Sequence, residues 1–206
     1  MQTKSLLVGA AVLLAATLTT GASSDPVQQH AIAVMKGSFT AKGQAGLDRL
    51  DQDAVEAACS KPPRLGGLNA AQARAIVKSQ TATLRYPADG KMLGDWREGE
   101  KIAQLGTGKQ YSDDPAKPSG GNCYACHQIT KAEVAYGTIG PSLYNFGKLR
   151  GFDADNQRYT YAKIFNAQAF VPCSNMPRFG HKVILTEQQI KDVTALLLDP
   201  ASPVNQ

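Results

Sequence analysis

Apolar side chains recur along this chain in three ways: one nearly unbroken run, several helical periodicities, and a long irregular middle. The run is Ser5 to Leu18, almost entirely Leu, Val and Ala, with Lys4 before it and the small residues Thr20-Gly21-Ala22 after it. Its apolar core is about a dozen residues, whereas a spanning helix needs roughly 20. The pattern is that of a secretory signal over 1–22, removed on export and leaving no membrane span behind. Beyond it, Leu47, Leu50, Ala54, Val55 and Ala58 share one helical face. Lys61-Pro62-Pro63 ends that segment, and Gly66-Gly67 keeps the chain irregular. Asn69 with Gln72 forms a capping pair ahead of Ala73, Ile76 and Val77. The turn residues Tyr86-Pro87-Ala88-Asp89-Gly90 mark a boundary, giving a mainly helical extension over 23–91 and a second domain over 92–206. In that domain Asp95 with Glu98 predicts a helix to about Leu105, ended by Gly106. Gly99 and Ala103 lie on one face of it and admit a close crossing by another helix. A last helix starts at Thr186, boxed by Gln189, presents Ile190, Val193 and Leu197, and stops at Pro200. The stretches between are rich in Gly and Pro and show no strand alternation. The expectation is an all-α fold, two terminal helices around a loop-rich middle that needs a large internal object to fold around.

With 206 residues, 43% of them hydrophobic, the chain can build one or two packed domains, which excludes a disordered tail. The 22 Lys and Arg against 17 Asp and Glu leave a formal charge of +5 with no dense basic run, so no nucleic-acid partner is expected. Export places the protein in the periplasm, where disulfides persist.

Chemistry enters at Cys123-Tyr124-Ala125-Cys126-His127, a C-x-x-C-H sequence, the attachment signature of c-type haem. Two cysteines three apart on one helical turn reach the two vinyl groups of a porphyrin, and the next imidazole then points at the iron. A thioredoxin-like motif would need a surrounding βαβ pattern, which is missing here. A zinc site would need a second cysteine pair, but Cys59 and Cys173 stand far apart. One covalent haem c, with Cys123 and Cys126 as thioethers and His127 as axial ligand, is therefore expected. The opposite axial position falls to Met176, in Asn175-Met176-Pro177-Arg178-Phe179-Gly180, with His181 as the rival. Met35 and Met92 lie far upstream, and His30 falls in the extension. Met with His stabilises ferrous iron and raises the potential, as electron acceptance requires.

Residues 92–200 resemble the class I cytochromes c: a first helix, Cys123 to His127, Gly140-Pro141-Ser142-Leu143, Met176-Pro177 and a terminal helix. That resemblance implies the class I fold around one haem, with the Pro141 carbonyl as partner of the His127 imidazole. In finer detail the chain is similar to the SoxX family of sulfur-oxidising bacteria. The similarity rests on Gly121 to Gln128, Gly137 to Leu143, Asn175 to Gly180 and Leu185 to Val193. It implies a heterodimer with a SoxA-like cytochrome that carries the reactive haem, acting as an L-cysteine S-thiosulfotransferase on the carrier SoxYZ. The haem of this chain would then receive the electrons and pass them to a downstream cytochrome or oxidase, with no catalytic side chain of its own. A free periplasmic electron carrier is the other reading of the same motif.

Cys59 and Cys173 are the even remainder in an exported chain, which points to a disulfide; free thiols and a thiosulfate-accepting cysteine are the rivals. Lys109, Lys117, Lys131, Lys148, Lys163 and Lys182 would suit an acidic docking face or simply a soluble surface.

Overall fold

The helices marked by capping pairs are all present in the computed structural model, which describes residues 25–61 and 67–206. The signal read over 1–22 and the break at Pro62–Gly66 lie outside the described residues. Among those described there are seven α-helices and no strand, only an isolated bridge between Lys42 and Ala45, so the architecture is all-α.

The described residues up to Phe39 form one unit, and Thr40–Gln206 form another. The first holds helix α1 (Pro26–Ser38), capped by Asp25 and started by a proline, with no buried residue. In the second, the apolar face read across Leu47 to Ala58 is split. Leu47–Leu50 is a 3-10 turn and α2 spans Ala54–Cys59. The break comes from Asp53, whose extended backbone and carboxylate cap the N–H groups of Val55 and Glu56, while Glu56 closes a capping box on the Asp53 N–H. Helix α3 (Ala70–Thr81) begins with a full capping box between Asn69 and Gln72.

The core is built where α4 (Trp96–Gln104) crosses α7 (Glu187–Leu198), the most extensive helix pairing in the molecule. Gly99 makes the crossing possible, since a β-carbon there would overlap the Asp192 carbonyl, and Ala103 beside it is fully buried. The buried Asp192 carboxylate also accepts from the Asp95 N–H at 2.9 Å, so α7 fixes the start of α4. Ile190, Leu196 and Leu198 are fully buried on the inner side of α7, each stabilising the fold by roughly 1.5–3 kcal/mol. α7 starts from the Thr186–Gln189 box and ends before Pro200, as its residues predict.

Two helices lie within the stretch that the sequence reads as loops. They are α5 (Phe146–Arg150) and the longer α6 (Ala154–Phe165), which Asp153 caps through the Asn156 N–H. α6 packs on α7 through Tyr161 and Ile164, both buried. No helix among the described residues is long and apolar enough to cross a membrane.

Candidate haem-binding site

The C-x-x-C-H motif sits at the end of α4. Residues 120–122 are pinned against that end by three backbone bonds, Gly120 to Thr107, Gly121 to Ile102 and Asn122 to Leu105. Asn122 then turns the chain with a left-handed φ of 46°, a conformation that asparagine tolerates. Cys123–Ala125 forms a single 3-10 turn, and the N–H of His127 donates to the Cys123 carbonyl at 2.9 Å. Tyr124, buried in this turn, donates its hydroxyl to Glu100 of α4 at 2.8 Å and lies 3.0 Å from the Thr130 hydroxyl. Burial, with that carboxylate, pushes the Tyr124 phenol well above its ordinary value.

The segment after the motif folds back over it. Gly137 donates to the Tyr124 carbonyl and Gly140 to that of Cys126, both at 2.8 Å. His127 Nδ1 lies 2.7 Å from the Pro141 carbonyl oxygen. A carbonyl only accepts, so Nδ1 carries a proton, which leaves Nε2 as the nitrogen available to a metal. Gly140 faces the ring so closely that a β-carbon there would overlap the imidazole. The ring is thus held in one tautomer and one orientation, as a metal-ligating histidine requires.

Cys123 and Cys126 are free thiols, both partly exposed, and enclosure of its sulfur pushes the Cys123 thiol up to about 12. A disulfide oxidoreductase needs a depressed thiol instead. Cys59 and Cys173 are bonded to each other, with Cα atoms 5.4 Å apart, so neither can complete a zinc site with the motif. What remains is a pair of cysteines and a pre-aimed imidazole beside an apolar core, a donor set that fits haem c.

Met176 is partly buried against the core cluster that also contacts Cys123 and Leu143. Its loop runs from Cys173, where φ is +61°, to Lys182. Gly180 and His181 both donate to the Phe165 carbonyl, and Phe179 is buried. Burial and the nearby Arg178 and Lys182 charges lower the His181 pKa, keeping that ring neutral at pH 7. His30 lies on α1, in the other unit.

Arg178 is a feature the motif reading missed. Only 5% exposed, it donates from Nη2 to Asp53 and to Glu56, each at 2.7 Å, and from Nη1 to Gln80 of α3 at 3.3 Å. Lys182 joins the same carboxylates at 2.9 and 3.4 Å. Burial works against the Asp53 carboxylate. The Glu56 N–H and the two cations outweigh it and hold that carboxyl well below the usual range. Glu56 is lowered too, chiefly by the Asp53 N–H. Of the six lysines read as a docking face, Lys182 is therefore engaged and Lys163 is half-buried, while Lys109, Lys117, Lys131 and Lys148 are exposed.

Comparison with known proteins agrees with this geometry. Residues 107–199 match the family described as cytochrome c. The chain is also 42% identical over 160 residues to an uncharacterized lipoprotein of Aquifex aeolicus (strain VF5), an alignment covering 75% of this chain and 73% of that relative. With an all-α fold of the class I type and haem c as its covalent cofactor, the chain carries a cytochrome c domain over residues 107–199.

Proposed function

We propose that this chain is a SoxX-like monohaem subunit that accepts electrons while a SoxA-like partner couples thiosulfate to a cysteine of a SoxYZ-type carrier. Cys123 and Cys126 would hold the haem as thioethers, and His127, through Nε2, and Met176 would bind its iron. The observation that carries the electron-transfer reading is the His127 imidazole, bonded to Pro141 at 2.7 Å and crowded by Gly140 into a single orientation. Haem bound there would supply a ferric–ferrous couple for one-electron transfer. The protein's own residues hold the His127 ring in one orientation, and a Met–His ligand pair would raise the potential.

The SoxX assignment rests on the four sequence runs that carry that resemblance and on a segment before residue 92 that a freely diffusing carrier does not need. Export to the periplasm rests on the pattern over 1–22. The Aquifex relative is described as a lipoprotein, which is compatible with export. Affinity capture of the haem-loaded protein from its native periplasm tests the proposal. The expected result is a second cytochrome in fixed stoichiometry, with thiosulfate reducing this chain's haem only when that partner and the carrier are present. Recovery of the chain alone, in a form that reduces an oxidase directly, replaces the proposal with a free electron carrier.

A further inference from the structure

Met176 packs against the core cluster, but its own backbone hydrogen bond reaches only two residues back. Within its loop the bonds near it are short-range, from the Met176 N–H to the Ser174 hydroxyl at 3.2 Å and from the Ser174 N–H to the Val171 carbonyl at 3.2 Å. The anchors flank it closely. Three residues before it, Cys173 is bonded to Cys59 at the end of α2. Two residues after it, Arg178 is inserted between α2 and α3. A buried ion pair adds little stability over a well-packed apolar side chain, so stability alone is a poor account of an arginine here. A guanidinium that spends three donors on fixed acceptors does define direction, because its planar fork leaves few ways to satisfy all of them.

We propose that Arg178 is a positioning residue for Met176, and that the carboxylates of Asp53 and Glu56 act through it to keep the thioether on the haem iron. This rests on the reading of Met176 as axial ligand. It gives the segment before residue 92 a specific task, holding the ligand loop closed.

The test uses the haem-loaded protein and reads the far-red Met-to-iron charge-transfer band of the ferric state and the affinity for added imidazole, which competes with Met176. Arg178→Gln leaves both carboxylates paired with Lys182. The double variant Asp53→Asn/Glu56→Gln can keep the α2 capping box through the amide oxygens, while the amide NH2 groups that then face Arg178 remove both its acceptors and the negative charge. Both variants are expected to bind imidazole about tenfold more tightly, because the open state of the loop becomes more populated. The band should weaken while covalent haem stays unchanged. In a Met176→Ala background neither change should add anything. Wild-type imidazole affinity in both variants, or a gain that persists without Met176, overturns the proposal. A native protein without the band, whose imidazole affinity Met176→Ala leaves unchanged, instead overturns the ligand assignment and this inference with it.

Discussion

The two sides of the haem site are held by different means. On the His127 side the support is local: 14 positions separate His127 from the Pro141 carbonyl, and backbone bonds from Gly137 and Gly140 close the same short loop. On the Met176 side, local bonds from Gly180 and His181 to Phe165 are joined by support from far along the chain. The Cys59–Cys173 bridge spans 114 positions, and Arg178 reaches 122 and 125 positions back to Glu56 and Asp53. A short closed loop loses little entropy and needs few other elements in place, whereas distant anchors depend on the packing of the segments that carry them. On the proposed assignment of Met176, attachment of the haem and retention of its sixth ligand are separable, because different parts of the chain secure them.

The most complete break is on the near side. Replacing Cys123 and Cys126 together with serine should abolish covalent haem, read as loss of haem stain on a denaturing gel, while the Cys59–Cys173 bridge still forms. Next comes the far side, where replacing Cys59 and Cys173 with alanine removes the cross-link. Stability should fall by about 2–4 kcal/mol in urea unfolding, with covalent haem retained. The Asp53→Asn/Glu56→Gln variant follows, costing about 2–3 kcal/mol at pH 7 for leaving Arg178 uncompensated, a figure reduced because both carboxylates are about a third exposed.

That variant also carries a pH signature with a definite sign. Both carboxyls titrate below their unfolded values in the folded protein. Their contribution is therefore complete only above about pH 5, where the unfolded groups are ionised, and is lost as the pH falls through the depressed folded values. Native stability should decline in acid from that point downward. The double variant should be less stable at neutral pH and show a flatter acid limb, measured by urea unfolding across a pH series.

The local side was also the legible one. C-x-x-C-H names its cofactor because its spacing is its chemistry, and the capping boxes at Asn69 and Thr186 are read from residues three apart. The close crossing of α4 and α7 was visible in Gly99 and Ala103, since small residues four apart have one obvious use. Helix α6 was hidden because polar Thr160 shares the buried face with Tyr161 and Ile164, which blurs the apolar period. Helix α2 starts later than the apolar face implies because Asp53, polar and therefore silent in that pattern, caps it. Arg178 could not be found by periodicity or motif. Its partners are fixed by the tertiary fold, and the only signal was an arginine two residues from a proposed ligand.

The smallest expected effect sharpens the comparison most, because it separates loss of stability from loss of the ligand. Helix α7 serves both sides. It follows the ligand loop through Leu185, and Gln189 of its capping box donates to the Ser119 carbonyl just before the motif at 2.7 Å. Thr186→Ala removes the hydroxyl that caps the Gln189 N–H and should lower stability by about 1 kcal/mol. Neither the Pro141 bond to His127 nor the Arg178 anchor passes through that hydroxyl. The charge-transfer band and the imidazole affinity should therefore match the native protein, although the fold as a whole is weaker. If general destabilisation loosened Met176, Thr186→Ala would move both readouts in proportion to its stability loss. If the ligand is held through Arg178, the band responds to changes at residues 53, 56 and 178 and ignores residue 186.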